Sequence, residues 1–142
     1  MSRCYFDTSA VGKLLLDEKE SEDVRRWVET PGVEPVSSLL LETELRRVAW
    51  QQGLPQERAT AILNHFELFE VLEWEWRAAG LIPGRALRSL DALHIESAIR
   101  VEADAIITYD ERMIEAAMGM GLAAIQPGVD EEGSIRRIDA DG

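Results

Sequence analysis

The sequence predicts an α/β domain with a mostly parallel β-sheet. Short apolar segments typical of buried strands alternate along the chain with longer segments of helical periodicity. Serine, glycine or proline stands at most of the changes between the two patterns. The length of 142 residues, of which 46% are hydrophobic and 30% charged, fits one globular domain.

The order of the elements indicates parallel strands, because helical segments separate the strand segments. The strands are predicted at residues 3–6, 33–37, 69–72, 105–108 and 123–125. The helices are predicted at residues 9–16, 21–28, 38–52, 56–66, 75–79, 89–101 and 111–118. Ser38 caps the helix that follows it, Ser89 opens the next long helix, and the breakers are Pro31, Gly32, Gly53, Pro55, Gly80, Pro83 and Gly84.

These elements place the folded domain at residues 1–126. Residues 127–142 hold five acids against two arginines and have little periodicity. We therefore expect an acidic C-terminal tail.

The charge of the chain excludes some functions. Its 27 acidic and 15 basic residues give a net charge of −12. This argues against broad, sequence-independent wrapping of nucleic acid, because such binding needs basic stripes. A nuclease stays possible, because a metal-dependent active site is itself a cluster of carboxylates. All but two of the basic residues are arginine, which binds phosphate through two parallel hydrogen bonds.

Composition also bears on the compartment. One cysteine excludes an internal disulfide, and no Cys/His cluster indicates structural zinc. No apolar run is long enough to span a bilayer, and the N-terminus lacks the apolar segment of a signal peptide. We therefore expect a cytoplasmic protein with no membrane partner.

Four acids stand in unusual positions. Asp7 directly follows one predicted strand, and Asp110 lies two residues after the end of another. Ligand sites of open parallel sheets gather at the carboxyl ends of the strands. On a helical wheel, Glu44 falls within the apolar stripe of its helix, whereas Glu42 falls beyond the edge. Asp91 likewise falls in the apolar arc of the helix at 89–101. An unpaired carboxylate on such a face is costly, so both positions need an explanation.

The solvent side of the helix at 89–101 is predicted to hold Glu96 and Arg100.

Each of the four acids has a purely structural explanation. Glu44 could pair with Arg47, and Asp91 could complement the dipole of its helix in the first turn. Asp110 could cap the next helix, and Asp7 could stabilise the turn after it. Together, however, four carboxylates at one edge repel one another, and a hard divalent cation such as Mg²⁺ or Mn²⁺ removes that repulsion. Because such an ion activates water and stabilises charge on phosphate, the set indicates metal-assisted phosphodiester hydrolysis.

Four short motifs, in order and at matching spacing, resemble those of PIN-domain ribonucleases, specifically the VapC-type toxins of bacterial toxin–antitoxin pairs. The motifs are Tyr5-Phe6-Asp7-Thr8-Ser9-Ala10, Ser38 through Thr43-Glu44-Leu45 to Arg47, Arg88-Ser89-Leu90-Asp91-Ala92-Leu93-His94, and Thr108-Tyr109-Asp110. The resemblance covers about residues 5–125. It implies a three-layer α/β/α fold whose mostly parallel central sheet has four or five short strands.

The resemblance also implies a site and an activity. The catalytic residues would be Asp7, Glu44, Asp91 and Asp110, which would hold one or two Mg²⁺ or Mn²⁺ ions, with hydroxyl support from Thr8 and Ser9. The activity would be endoribonuclease cleavage of structured RNA, such as loops of transfer or ribosomal RNA. A few arginines and shape, rather than a basic stripe, recognise such a loop. The candidate RNA contacts are Lys13, Arg46, Arg85, Arg88 and Arg112.

The partners that the resemblance implies are a second copy of the chain, in a homodimer, and an antitoxin whose tail blocks the active site. An acidic toxin would attract a basic segment of the antitoxin. Trp50, Trp74 and Trp76 are candidates for a dimer or antitoxin surface, with core packing as the alternative. His94 is expected to be a core histidine, and Cys4 a small buried residue.

Other functions stay open. A phosphoacceptor domain would need a lysine after a late strand, whereas Lys13 and Lys19 both lie early in the chain. An Asp-x-Asp phosphatase would need an acid where Ser9 stands. A non-catalytic acidic partner-binding module on the same fold and a housekeeping RNA-processing nuclease are the remaining alternatives.

Overall fold

A β-sheet runs through the centre of the molecule in the computed structural model, which describes residues 2–129 and 135–136. Its strands are β1 (Ser2–Phe6), β2 (Val33–Ser38), β3 (Glu67–Phe69), β4 (Ala105–Ile107), β5 (Ala123–Ile125) and β6 (Ile135–Arg136). They lie in the order β3-β2-β1-β4-β5-β6. The first five strands are parallel to one another, and β6 pairs antiparallel with β5. The predicted mostly parallel sheet is confirmed.

Helices cover both faces of this sheet. Over the described residues they are α1 (Thr8–Leu15), α2 (Ser21–Glu29), α3 (Leu39–Gln51), α4 (Gln56–Leu63), α5 (Glu73–Ala79), α6 (Ser89–Arg100) and α7 (Glu111–Gly119). No helix in this part of the chain has both the length and the apolar character needed to cross a membrane.

The side chains of β1 alternate between two hydrophobic cores, because the side-chain period of a strand is two. Cys4 and Phe6 join the core under α1 to α4, and Tyr5 joins the core under α6 and α7. All three side chains are buried. The molecule therefore has three layers, α/β/α, as the resemblance implies.

Two element boundaries, the ends of α4 and β3, differ from the prediction by three residues. Helix α4 ends at Leu63, and residues 64–66 form a turn. Phe66 still packs on Phe6, with ring centroids 5.2 Å apart, so the apolar periodicity continues beyond the end of the helix. Strand β3 begins two residues before the predicted range 69–72 and ends at Phe69, because it pairs with β2 through residues 67–69.

The solvent side predicted for α6 is wrong. Residues 92–98 of this helix are all buried, and Glu96 is only 9% exposed. The reason is that α5 packs along this side of α6, where the Ser97 hydroxyl donates to Glu75 at 2.8 Å. A helical wheel describes one helix alone and has no information about a second helix that covers it.

The strand order of the sheet switches direction between β1 and β4. Strands β2 and β3 extend the sheet to one side of β1, and β4 and β5 extend it to the other. Ligands of open α/β sheets bind beyond the carboxyl ends of the strands at such a switch point. Asp7 follows β1 there, and its N–H donates to the carbonyl of Ile107 in β4 at 3.1 Å. The fold thus sets two predicted site segments side by side.

The C-terminal tail predicted at residues 127–142 is described only in part. Within it, β6 places Ile135 opposite Ile125 and Arg136 opposite Ala124. Residues 130–134 and 137–142, and with them most of the predicted acidic tail, lie outside the described residues.

Candidate active site

Asp7 lies at the switch point and is nearly fully buried, at 2% exposure. It is the N-cap of α1, where its Oδ1 accepts from the Ala10 N–H at 3.0 Å and from the Ser9 hydroxyl at 2.8 Å. Its Oδ2 accepts from the Thr108 hydroxyl at 2.7 Å. Burial raises the pKa of Asp7, and His94 and these hydrogen bonds oppose the rise only in part. The ionised form of Asp7 would therefore gain from a nearby cation.

Thr108 links Asp7 to Asp110. Its hydroxyl, which donates to Asp7, accepts from the Asp110 N–H at 3.1 Å. Asp110 is the N-cap of α7, and its Oδ1 accepts from the Arg112 N–H at 2.9 Å and from Arg112 Nε at 3.3 Å. Burial alone would raise the pKa of Asp110, but Arg112 holds it below its ordinary value. The capping role that the sequence allowed for Asp110 is therefore present in the structure.

Glu44 joins the same edge of the sheet from α3. Its carboxylate accepts from the hydroxyl of Thr8, the residue after Asp7, and from His94 Nε2 at 2.8 Å. Burial alone would raise the pKa of Glu44, but His94 first, and then Thr8 and Arg88, hold it below its ordinary value. Glu44 thus lies in a half-buried position where its hydrogen-bond donors favour the ionised form.

The helical wheel separates Glu44 from Glu42 correctly. Glu42 pairs with Arg46 on the outer side of α3 at 3.0 Å, and its side chain is 40% exposed. The partners of Glu44 are Thr8 and His94 rather than Arg47, which was the structural alternative.

His94 has a role at the site that the sequence reasoning missed. It is 2% exposed, as a core histidine should be, but its ring extends a polar network from Glu44 into the core. Its Nδ1 lies 2.7 Å from the Tyr5 hydroxyl, which lies 2.9 Å from the hydroxyl of Ser38, the N-cap of α3. A signal was present, because His94 follows Asp91 by three residues and so shares its side of α6.

Asp91 lies in the first turn of α6, and its side chain is 17% exposed. Arg88 Nε lies 3.4 Å from its Oδ2. The charge of Arg88 also lowers the pKa of Glu44. The pKa of Arg112 is raised mainly by Asp110 and to a smaller extent by Asp91. Each arginine therefore acts electrostatically on two of the acids.

Of the four predicted acids, Asp7, Glu44 and Asp110 are thus linked at one edge of the sheet through Thr8 and Thr108, and Asp91 lies on α6 three residues before His94, which contacts Glu44. Within the described residues the four acids do not form a group of three or more that is already spaced as metal ligands. Two of the four acids are paired with arginines. Arg88 Nε lies 3.4 Å from Asp91 Oδ2, and Arg112 Nε lies 3.3 Å from Asp110 Oδ1. These contacts are long, and Arg88 and Arg112 are 69% and 44% exposed, so the ion pairs are weak and easily exchanged.

Three of the predicted RNA contacts lie close to this site. Arg88 and Arg112 contact its aspartates, and Arg85 lines a cavity together with Arg112. Arg85 is exposed and forms no ion pair with any other described residue.

Lys13 and Arg46 have their charges paired elsewhere. Lys13 pairs with Glu18 at 3.3 Å and with Glu20 at 2.9 Å. Arg46 pairs with Glu42 and donates further hydrogen bonds to α4. Neither side chain contacts the four acids through these bonds.

Three tryptophans lie at the surface. Trp50, Trp74 and Trp76 are 65%, 49% and 53% exposed, so the core-packing alternative for them is wrong. Cys4 is buried, as predicted.

Comparison with known proteins gives the family. The PIN-domain profile matches residues 4–118, and the chain belongs to the PIN-domain family. Within this family it belongs with the VapC ribonucleases: Ribonuclease VapC47 of Mycobacterium tuberculosis is 34% identical over 131 residues, which cover 87% of this chain and 96% of the relative.

Solved structures share the fold. The M. tuberculosis toxin VapC20, which cleaves the sarcin–ricin loop, superposes with a TM-score of 0.67 at 15% identity, over 80% of this chain and 94% of that one. A toxin–antitoxin complex from Klebsiella pneumoniae superposes with a TM-score of 0.67 at 17% identity, over 87% of this chain and 97% of that one.

Proposed function

We propose that this chain is a divalent-metal-dependent endoribonuclease that acts in the cytoplasm as the toxin of a type II toxin–antitoxin pair. The observation that carries the proposal is the buried carboxylate of Asp7 at the switch point, to which Asp110 is joined through Thr108 and Glu44 through the neighbouring Thr8. Membership of the VapC ribonucleases supports the reaction, hydrolysis of phosphodiester bonds in RNA.

Asp7, Glu44, Asp91 and Asp110 are the residues that would hold Mg²⁺ or Mn²⁺. Their donor atoms are carboxylate oxygens, the ligands that these hard ions prefer. The long contacts from Arg88 and Arg112 leave two of these acids open to exchange their partners. A bound divalent ion would supply an activated water and stabilise the charge that develops on the phosphate.

Neighbouring side chains hold these acids in position. Thr108 and Ser9 donate to Asp7, while Thr8 and His94 donate to Glu44. These hydrogen bonds orient the carboxylates before the substrate arrives, so less free energy is needed to organise the site during the reaction.

Arg88 and Arg112 are the cations that would meet the RNA backbone. A guanidinium donates two parallel hydrogen bonds to phosphate oxygens as well as to a carboxylate. Both arginines are exposed enough to exchange their aspartate for phosphate when RNA binds. VapC20, which shares the fold, cleaves the sarcin–ricin loop, and this favours a structured RNA loop as the substrate class.

The toxin role implies an antitoxin and a second copy of this chain as partners. A groove of about 610 Å³ on α3 lies beside the exposed Trp50 and Leu39, and we assign it to the antitoxin. The fold neighbour from K. pneumoniae was solved as a toxin–antitoxin complex, which supports such a partner. The net charge of −12 would attract a basic segment of the antitoxin. We assign the homodimer contact to the exposed Trp74 and Trp76 of α5.

The test uses purified protein and a structured RNA. Chelator should stop cleavage, and added Mn²⁺ or Mg²⁺ should restore it. Asp91→Asn should abolish cleavage, whereas Asp17→Asn, the same charge change at an exposed position, should leave it unchanged. Cleavage that survives chelator, or equal rates for the two variants, would contradict the proposal. Sequencing the RNA ends from cells that express the protein with and without its neighbouring gene then identifies the cleaved RNA.

A further inference from the structure

A cavity of about 320 Å³ lies between residues 83–87 and α7 and is not used by the site described above. Pro83, Leu87 and Met120 give it apolar walls, and Arg85 and Arg112 contribute its cationic groups. Met120 is 41% exposed and Arg85 is exposed, so the cavity opens to solvent.

Arg112 connects this cavity to the acids. Its guanidinium pairs with Asp110 at 3.3 Å, the charge of Asp91 acts on it, and it also lines the cavity. A molecule in the cavity therefore lies one side chain away from Asp110, one of the proposed metal ligands.

Arg85 adds a positive charge that has no ion-pair partner among the described residues. Most arginines of the described residues are paired with an acid, as expected for a chain of net charge −12. In the lining of the cavity two arginines face one acid, Glu115. Because Arg112 is paired with Asp110, the cavity combines one arginine that has no ion-pair partner among the described residues, Arg85, with apolar walls.

That combination fits one ligand class. A nucleotide has a flat, largely apolar base and an anionic phosphate, and arginine planes both stack on bases and bind phosphate. We propose that the cavity binds one nucleotide of the RNA next to the cleaved bond. Its base lies on Leu87 and Met120, and its phosphate lies between Arg85 and Arg112. This inference rests on the proposed function, because it gives that nuclease a subsite for its substrate.

Two variants test the subsite. Gly119→Leu should fill the cavity: Gly119 lines it, and an added Cβ there meets no atom within 4 Å. Gly12→Leu is the matched control, because Gly12 is also helical and also has no atom within 4 Å of an added Cβ. Arg85→Met removes the unpaired charge, and Arg77→Met, on the exposed outer side of α5, is its control.

Binding and cleavage are both measured. In chelator, labelled single-stranded RNA should bind Gly119→Leu and Arg85→Met about tenfold more weakly than their controls, as expected for one lost charge-assisted contact or a blocked site. With Mn²⁺, KM should rise by the same factor while kcat stays within about twofold. Thermal melting checks that each variant is folded, and Arg85→Met, at an exposed position, keeps the test valid if Gly119→Leu does not fold.

The outcomes separate this inference from the proposed function. If the wild type cleaves RNA and both variants bind and cleave like their controls, the subsite is wrong and the nuclease proposal stands. If the wild type cleaves no RNA with either metal, the nuclease proposal fails, and the binding assay alone decides. Equal RNA binding by the variants and controls then overturns the subsite as well.

Discussion

Glu44 and Glu42 lie two residues apart on α3, yet the structure predicts opposite results for replacing them with glutamine. Both substitutions remove one negative charge and keep the shape of the side chain. Glu44 is held by Thr8 and His94 at the edge of the sheet, whereas Glu42 pairs with Arg46 on the outer side of the helix. A comparison of Glu44→Gln with Glu42→Gln therefore tests position alone.

The expected loss of stability follows from the two bonds. The Glu44 carboxylate accepts both from the same oxygen, and Gln still offers one oxygen. Each bond would fall from charge-assisted to neutral strength, a loss of about 1 kcal/mol per bond, so Glu44→Gln should cost about 2 kcal/mol. Glu42→Gln removes an exposed ion pair and should cost at most about 1 kcal/mol. Urea unfolding in chelator measures both values.

The expected loss of activity is larger. Removing a proposed ligand of the metal should lower RNA cleavage by Glu44→Gln at least about 100-fold, whereas Glu42→Gln should cleave like the wild type. Added Mn²⁺ should raise the melting temperature of the wild type and of Glu42→Gln, because an ion that binds only the folded state stabilises it, and should raise that of Glu44→Gln less. Undiminished cleavage by Glu44→Gln, or an equal Mn²⁺ shift in both variants, would refute the assignment of Glu44 to the metal site.

Two further predictions concern other parts of the molecule. Arg100→Met should lower the free energy of unfolding by about 3–5 kcal/mol, because it leaves the fully buried Glu75 without its cation. The exposed pair on α5 is the control: Arg77→Met should cost less than about 1 kcal/mol by urea unfolding, and equal costs would show that the buried pair has no special role. Trp50→Ala should weaken calorimetric binding of the protein encoded by the neighbouring gene at least about tenfold without changing RNA cleavage. If Trp76→Ala weakens it instead, the antitoxin binds the other face.

Local signals were sufficient to predict the architecture. Strand-like and helix-like segments alternate along the chain. The side of a helix on which a residue lies depends only on the position of the residue in that helix. The parallel sheet and the choice of Glu44 over Glu42 follow from such local information. Asp7 and Asp110 could be predicted at the carboxyl ends of strands for the same reason.

The surroundings of these residues could not be predicted, because they depend on which elements meet in space. No property of α6 alone indicates that α5 covers Glu96, or that Ser97 meets Glu75 there. The sequence predicts His94 correctly as a core residue, but only the packing of α3 against the sheet brings Glu44 to its ring.

The sequence by itself therefore determined the fold class and the family motifs and singled out four candidate acids, since each signal is carried by residues close together along the chain. The tertiary structure alone decided how deeply Asp7 is buried, that Thr108 contacts Asp7 and His94 contacts Glu44, and that a cavity opens beside Arg112. These properties arise where segments far apart in the chain come into contact. Burial, electrostatic pairing and empty volume are set by that contact and not by local conformation.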